Sequence, residues 1–316
     1  MRNRLGILAT TIAVAMCFSL TSVAAFARDS QTTAKKRVAV TYKSSKKTPN
    51  TRKSRQQAKL DDGVFSALAL KSFGVMVQDQ ASGAVMFEKN AQAILPIASI
   101  TKLMTAMVSL DSQPNLTETL TIGNDDVDML KGTSSRLRVG AEMTREEMLR
   151  IALMSSENRA AASLSRHYPG GREAFVEAMN RKARELDLGD TRFVDPTGLT
   201  KANVSSPRDL AKMVNAAYQY PLIREFSTSA GGEVTVSGRA MQYNNTNSLV
   251  KSSAWDIGLS KTGYINEAGK CLVMQAWVGQ KPVIIVLLDS WGKLTRVADA
   301  NRIKRWVELS RPARSS

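Results

Sequence analysis

Apolar and polar residues alternate near the start of the part of the chain whose composition is typical of a folded protein. Phe73, Val75 and Val77 share one side of this alternation, with the period of two that a β-strand shows. The turn residues Ala81-Ser82-Gly83 follow, and the apolar segment 84–87 comes next. The pattern predicts a β-hairpin at this point of the chain.

The middle of the chain changes to the spacing of about 3.6 residues that is typical of buried helices. Thr144 and Glu147 make a capping box, and Pro207 stands in a first turn after a capping serine. Gly189 is expected to end the third helix of the series. The predicted helices are 97–110, 144–166 with a break at Ser155-Ser156, 171–188 and one that starts at Ser206.

Alternation returns towards the C-terminus. Apolar segments 255–263, 270–278 and 282–288 are separated by turn residues and predict an antiparallel meander. A last amphipathic helix is predicted from about Thr295 to Leu309. Strands at both ends around a helical middle predict an α+β fold, with one antiparallel sheet of N- and C-terminal strands and a helical cluster packed on it.

The composition is that of a globular protein, and the new information is where its positive charge lies. Of 316 residues, 43% are hydrophobic and 23% are charged, and 44 Lys and Arg against 28 Asp and Glu give a net charge of +16. Residues 28–60 hold eleven of the basic residues and one acid, while residues 61–316 keep only +4. The folded part is therefore mildly basic, and the overall charge is no evidence for a nucleic-acid partner.

The basic segment 28–60 has too few apolar residues to fold and is predicted to be a disordered tether. It is either a solvated spacer or a segment loosely attracted to an anionic polymer or lipid surface. It has no aromatic interleaving for base stacking, so we expect no nucleic acid as a partner.

The first 27 residues have the organisation of a secretory signal peptide. Arg2 and Arg4 precede an apolar run over 5–20, and Ala25-Phe26-Ala27 is a small-x-small cleavage pattern. An uncleaved membrane anchor is the alternative, but the run is shorter than the roughly 20 residues of a spanning helix. We expect export to the periplasm and no stable membrane anchor after cleavage.

One histidine and two cysteines exclude several kinds of site. A structural zinc site needs about four Cys or His ligands, and a disulfide framework needs several cysteine pairs. Cys17 would leave with the signal peptide, and Cys271 lies among apolar residues typical of a core. His167 follows a predicted helix, where its charge would suit the helix dipole. We therefore expect no metal.

Without a histidine base, a nucleophilic serine needs another proton acceptor, and a lysine three positions further along a helix is one known arrangement. Ser99 and Lys102 have this spacing, but so do three other pairs. These pairs are Ser44 with Lys47, Ser248 with Lys251, and Ser290 with Lys293. Only Ser99 opens an apolar helical pattern, where the positive helix end favours developing negative charge.

Two further patterns occur once each. Ser156-Glu157-Asn158 falls at the break between two predicted helices, and Lys261-Thr262-Gly263 falls on a predicted strand directly before Tyr264. Together with Ser99-Ile100-Thr101-Lys102, in this order, they resemble the motifs of the penicillin-recognising serine peptidases and β-lactamases.

Longer segments are similar to the penicillin-binding protein 7 type of D-alanyl-D-alanine endopeptidase, over about residues 65 to 310. The similar segments are 96–105, 154–161, 168–171, 195–199 and 261–264. The resemblance implies a β-lactamase/D,D-peptidase-like domain without cofactor or metal. It would act on peptidoglycan peptide crosslinks between D-alanine and diaminopimelate, and β-lactam antibiotics would acylate it.

The resemblance also implies the catalytic roles. Ser99 would attack the D-alanyl carbonyl and form an acyl-enzyme, with Lys102 as the base. Lys102 must be neutral for this, and burial beside another cation, for which Lys261 is the candidate, would lower its pKa. Ser156 would pass the proton to the leaving amine.

Substrate binding is implied for the remaining motif residues. Asn158 would hold Lys102 and the substrate amide, and Lys261 with Thr262 would grip a carboxylate. Gly263 and Tyr264 complete this strand, and the Tyr264 N–H would join that of Ser99 in an oxyanion hole.

Several alternatives stay open at this point. Only 53 residues follow Gly263, which leaves no room for the second domain and anchor of the related carboxypeptidases and favours an endopeptidase. A Glu-x-x-Leu-Asn segment, whose glutamate deacylates β-lactamases, is missing, so a β-lactamase is the less favoured reading. A non-catalytic protein that binds cell wall or nucleic acid through segment 28–60 is the alternative of a different class.

The predicted division of the chain is a signal peptide (1–27), a basic tether (28–60), a catalytic domain (61–312) and a tail (313–316).

Overall fold

The structure is a computed structural model that describes residues 68–292 and 294–310. The predicted signal peptide, tether and tail lie outside the described residues. The strands are β1 (Gly74–Asp79), β2 (Val85–Lys89), β3 (Leu95–Pro96), β4 (Thr119–Thr121), β5 (Glu142–Thr144), β6 (Val204–Ser205), β7 (Gly231–Val236), β8 (Arg239–Asn244), β9 (Asp256–Ile265), β10 (Gly269–Val278) and β11 (Lys281–Ser290). The α-helices are α1 (Thr101–Asp111), α2 (Arg145–Met154), α3 (Asn158–Arg166), α4 (Gly171–Glu185), α5 (Pro207–Ala217), α6 (Pro221–Thr228) and α7 (Thr295–Leu309).

The main sheet joins the two ends of the described chain. Its strand order is β2-β1-β11-β10-β9, and each neighbouring pair is antiparallel. Gly74 on β1 lies opposite Leu288 on β11, which places the first hairpin beside the last meander. The predicted α+β arrangement, with one antiparallel sheet formed by N- and C-terminal strands, is confirmed. Phe73 precedes the first strand and is 45% exposed, so the buried side of the alternation begins at Val75.

Both faces of the sheet are covered. On β10, Cys271 and Val273 pack against the helical cluster, whereas Leu272 and Met274 pack towards α7. Successive side chains of a strand point to opposite faces, so a strand covered on both sides becomes a continuous apolar run. This explains the unbroken apolar runs 271–274 on β10 and 283–288 on β11.

Helix α1 lies inside the helical cluster, and residues 101–109 on it are all buried. A short 3₁₀ turn, Ala98–Ile100, precedes the helix and carries Ser99. The Thr144 and Glu147 capping box starts α2, and the Ser206 hydroxyl accepts from the Asp209 N–H at the start of α5. These local sequence signals place the helix starts as predicted.

The predicted end of the third helix is wrong. Helix α4 ends at Glu185, and Asp187 takes the left-handed conformation with φ of 53°. The Leu188 N–H donates to the Ala183 carbonyl at 2.9 Å, and the Asp187 N–H donates to Arg184 at 3.0 Å. This is a Schellman termination with aspartate, instead of the expected Gly189, in the left-handed position.

Within residues 68–292 and 294–310, no helix combines the length and the apolar character needed to cross a membrane.

Candidate active site

The three sequence patterns come together where α1, the link between α2 and α3, and strand β9 meet. Ser99 lies in the 3₁₀ turn, and Lys102 lies in the first turn of α1. Ser156 lies between α2 and α3, and Asn158 is the first residue of α3. Strand β9 is an edge strand of the main sheet and carries residues 261–264.

The buried Lys102 side chain connects the first two patterns. Its Nζ lies 3.0 Å from Ser99 Oγ, 2.7 Å from Asn158 Oδ1 and 2.7 Å from the Thr197 carbonyl oxygen. The Asn158 and Thr197 oxygens can only accept hydrogen bonds. A neutral Lys102 amine therefore gives its two N–H groups to these oxygens, and its lone pair is left for the Ser99 hydroxyl proton.

Lys261 connects the second and third patterns. Its buried Nζ lies 3.0 Å from Ser156 Oγ and 3.0 Å from the Thr262 carbonyl oxygen. A charged ammonium has a third N–H, and that group has no partner in the described part of the chain. Ser156 has φ of 60°, a conformation that costs a non-glycine residue about 1–2 kcal/mol. The two lysines thus have different partners. Lys261 contacts Ser156, whereas Lys102 contacts Ser99, Asn158 and Thr197.

Gly263 allows β9 to pass close to the serine turn. A Cβ at this position would lie 2.9 Å from the Ile97 carbonyl oxygen and 3.1 Å from the Ser99 nitrogen. Tyr264 follows with its side chain 56% exposed. A larger residue than glycine would push the strand away from the backbone N–H of Ser99.

A turn at residues 195–198 supports the serine turn from the other side. Three groups donate to one oxygen of the Asp195 carboxylate: the Thr197 N–H, the Thr197 hydroxyl and the Gly198 N–H. Gly198 has φ of 83°, and a Cβ there would lie 2.0 Å from the Ala98 carbonyl oxygen. The turn also contacts the lysine of the site, since the Thr197 carbonyl oxygen accepts from Lys102 Nζ.

Two residues near the Lys-Thr-Gly strand were not singled out in the sequence. Thr246 Oγ1 lies 2.6 Å from Thr262 Oγ1, and Arg296 Nη1 donates to the carbonyls of Gly263 and Cys271, each at 3.2 Å. Neither carries a motif signal, because both reach the strand from distant parts of the chain.

A cavity of about 490 Å³ adjoins the site on the side of Asn158 and Thr197. The exposed apolar side chains Met129 and Leu130 belong to its lining. The space next to the catalytic groups is therefore large enough for part of a peptide.

The remaining candidates have structural roles. His167 Nδ1 lies 2.9 Å from the Ser163 carbonyl oxygen at the end of α3, the position expected for it. Cys271 is fully buried, and burial raises the pKa of its thiol to about 12. An uncharged thiol in the core is a packing residue.

Comparison with known proteins identifies this arrangement. Residues 62–292 match the peptidase S11 family, described as D-alanyl-D-alanine carboxypeptidase. The chain belongs to this family. The family and the enzyme class implied by the motif resemblance, a serine-type D,D-peptidase, are thereby confirmed.

Individual relatives agree with the family assignment. The chain is 50% identical to a D-alanyl-D-alanine endopeptidase of Pseudomonas aeruginosa over 243 residues, which covers 76% of this chain and 78% of the relative. It is 46% identical to a D-alanyl-D-alanine endopeptidase of Escherichia coli over 244 residues, with coverages of 77% and 79%. The Streptomyces K15 DD-transpeptidase structure aligns with a TM-score of 0.71 and 30% identity, over 75% of this chain and 97% of that one. The predicted D,D-peptidase-like fold is confirmed.

Burial shifts the pKa values of both lysines in the site of this D,D-peptidase. It lowers the pKa of Lys102 to about 8, whereas the carboxylates of Asp195 and Glu157 oppose the shift. Burial also lowers the pKa of Lys261 well below its usual range, and the positive charges of Lys102 and Arg296 lower it further. Burial is thus the main cause for both lysines, and the repulsion between Lys102 and Lys261, which is mutual, disfavours two positive charges in the site.

We expect the rate of Ser99 acylation by penicillin to rise with pH and to level off above about 8, the pKa of Lys102. Below that pKa the ammonium form predominates, and it has no lone pair for the serine proton, so the rate falls about tenfold per pH unit. Second-order acylation rates measured with a fluorescent penicillin between about pH 6 and pH 10 test this. A rate that is flat or falls with rising pH would contradict it.

A charge variant checks the assignment of this pH dependence to Lys102. Glu157 is one of the carboxylates that raise the Lys102 pKa, and its Oε1 accepts from the Ser135 hydroxyl at 2.7 Å. Glu157→Gln keeps an oxygen acceptor and removes the charge, so the midpoint should move to lower pH. An unchanged midpoint would assign the titration to another group.

Proposed function

We propose that the protein is a serine D,D-endopeptidase that hydrolyses D-alanyl-diaminopimelate crosslinks of peptidoglycan during cell-wall remodelling. The observation that carries the proposal is the Lys102 amine, whose acceptors on two sides leave a lone pair for the Ser99 hydroxyl at 3.0 Å. The names of the relatives from Pseudomonas aeruginosa and Escherichia coli favour the endopeptidase among the family's activities.

The first step is acylation of the serine. Ser99 Oγ attacks the D-alanyl carbonyl carbon while its proton moves to Lys102 Nζ. The backbone N–H groups of Ser99 and Tyr264 stabilise the oxyanion, and each such donor is worth roughly 3 kcal/mol. The close passage of β9 at Gly263 supports this pairing of the two N–H groups.

The second step expels the amine. The C–N bond of the amide breaks as the leaving nitrogen takes a proton from the Ser156 hydroxyl. The proton that Lys102 took from Ser99 replaces it on Ser156, so that Lys102 is neutral again. Ser156 is held towards the site by Lys261, whose Nζ lies 3.0 Å from Ser156 Oγ. Asn158 holds Lys102 and the substrate amide. Water then attacks the acyl-enzyme carbonyl while the neutral Lys102 accepts its proton. That proton passes to Ser99 Oγ as the ester bond breaks, which restores the free Ser99 and the neutral Lys102.

A carboxylate on the leaving side is recognised by the Lys-Thr pair. The Thr262 hydroxyl is one donor. The third N–H of Lys261 is the other, because the negative charge of the carboxylate favours the ammonium form of Lys261 although burial lowers its pKa. In a D-alanyl-diaminopimelate crosslink, the carbon that bears the scissile nitrogen also bears a free carboxylate. A terminal D-alanine has the same arrangement, so D-alanyl-D-alanine carboxypeptidase activity, the description of the matched family, is the second candidate function.

The same chemistry makes β-lactam antibiotics covalent inhibitors, because penicillin presents a reactive carbonyl and a carboxylate to the same groups. We propose slow release of the penicilloyl group. We also propose that the chain acts in the periplasm after removal of residues 1–27, without a stable membrane anchor, and that its partner is peptidoglycan and not nucleic acid.

The mature protein incubated with purified crosslinked muropeptide dimers and with pentapeptide monomers tests the proposed function. We expect monomers to form from the dimers, with protein already acylated by penicillin as the inactive control. Release of D-alanine from pentapeptides with intact dimers would make the protein a carboxypeptidase. If neither monomers nor D-alanine form, both peptidase candidates are overturned.

A further inference from the structure

The link between β8 and the 3₁₀ turn at Ser248–Lys251 contacts two parts of the active site at once. The Thr246 N–H donates to the Met154 carbonyl at 3.1 Å, and the Ser155 hydroxyl donates to the Asn244 carbonyl at 2.8 Å. These bonds fasten the link to the end of α2, directly before Ser156. On its other side, the Thr246 hydroxyl reaches the Thr262 hydroxyl.

The two hydroxyl groups differ in their surroundings. Thr262 is buried, with 5% of its surface exposed, whereas Thr246 is exposed. Their oxygens are 2.6 Å apart, and within the described residues the Thr246 hydroxyl has no second partner. The exposed hydroxyl therefore covers the buried one from the solvent side and is fixed in place by its own backbone bond to Met154.

We propose that Thr246 is a positioning residue that directs the Thr262 hydroxyl proton towards the substrate carboxylate. A carboxylate only accepts hydrogen bonds, so Thr262 must use its one proton as the donor. Its oxygen can then accept only, and the Thr246 hydroxyl at 2.6 Å is the group that donates to it. The chain of donors runs from Thr246 through Thr262 to the carboxylate.

Two consequences follow, and both rest on the proposed function. The hydroxyl chain strengthens the bond to a charged carboxylate more than the weaker bond to a neutral ester in the same position. Carboxylate binding is equal in the ground state and the transition state, so loss of the Thr246 hydroxyl should raise KM and leave kcat nearly unchanged.

The test compares Thr246→Val, Thr246→Ser and Thr235→Val. Valine keeps the shape and removes the hydroxyl, serine keeps the hydroxyl, and Thr235 is an exposed threonine on β7 whose hydroxyl has no partner among the described residues. The readouts are the acylation rates with benzylpenicillin and with its methyl ester, and kcat and KM with crosslinked muropeptide dimers. Thermal unfolding of each variant confirms that it is folded.

For Thr246→Val we expect benzylpenicillin acylation to fall about tenfold, methyl ester acylation to stay within about twofold, and KM for the dimers to rise about tenfold. Thr246→Ser and Thr235→Val should match the wild type. An unchanged ratio of benzylpenicillin to methyl ester rates in Thr246→Val, or failure of serine to restore it, overturns the proposal.

The two proposals can fail separately. A wild-type protein that acylates with a preference for the carboxylate but leaves dimers intact contradicts the endopeptidase function, and the penicillin arm still tests Thr246. If the wild type cleaves dimers and prefers the carboxylate, but Thr246→Val keeps that preference, only the proposed role of Thr246 is contradicted.

Discussion

Ser99→Ala will lose the covalent penicillin adduct and nearly all crosslink hydrolysis, by at least about 10⁴-fold. The variant has no nucleophile to form the acyl-enzyme, while the remaining contacts of Lys102 with Asn158 and Thr197 keep the site in place. Intact mass and gel fluorescence after incubation with a fluorescent penicillin measure the adduct.

Ser248→Ala is the matched control for this result. Ser248 and Lys251 have the same spacing as Ser99 and Lys102, but Ser248 lies exposed on a short 3₁₀ turn. Its variant should acylate at the wild-type rate. A persistent adduct in Ser99→Ala would move the nucleophile to another residue and invalidate the mechanism.

Gly198→Ala will damage the site although glycine has no chemistry of its own. The new Cβ would lie 2.0 Å from the Ala98 carbonyl oxygen and 2.9 Å from the Ser99 nitrogen, so the serine turn has to move. Displacement of a catalytic group by about 1 Å costs on the order of 100-fold in rate. We expect acylation to fall by at least this factor and the free energy of unfolding to fall by about 3 kcal/mol or more.

Gly140→Ala separates the clash from the backbone conformation. Gly140 has φ of 84°, nearly the value of Gly198, but no atom lies within 4 Å of its hypothetical Cβ. Its variant has only the left-handed penalty, about 1 kcal/mol, and should keep full acylation activity. Acylation kinetics and denaturant unfolding of both variants make the comparison. Equal losses in the two variants would show that contact with Ala98 is unimportant.

The Ser-x-x-Lys pairs show how far local sequence patterns can identify the site. The sequence offers the Ser-x-x-Lys pattern more than once, and the apolar helix after Ser99 correctly selects the pair that lies in the site. The main sheet, the starts of α2 and α5 and the last helix were also predictable, because alternation, capping residues and turn residues act over a few neighbouring positions. The end of α4 was not, since aspartate took the left-handed position ahead of the expected glycine.

Long-range contacts account for what the sequence left undecided. The Thr197 carbonyl that orients Lys102 lies 95 positions away in the chain, and Thr246 reaches Thr262 from the link after β8. The lowered pKa of Lys102 likewise depends on burial by the assembled helices and sheet.

Local patterns of residue type were thus enough to predict the main sheet, most of the helices, the family and the candidate site residues. Packing of the folded chain sets how the Lys102 lone pair is directed, which backbone turn supports Ser99 and which hydroxyl lies next to Thr262. These depend on distances between residues that no spacing along the chain encodes, because packing alone brings them within hydrogen-bond reach.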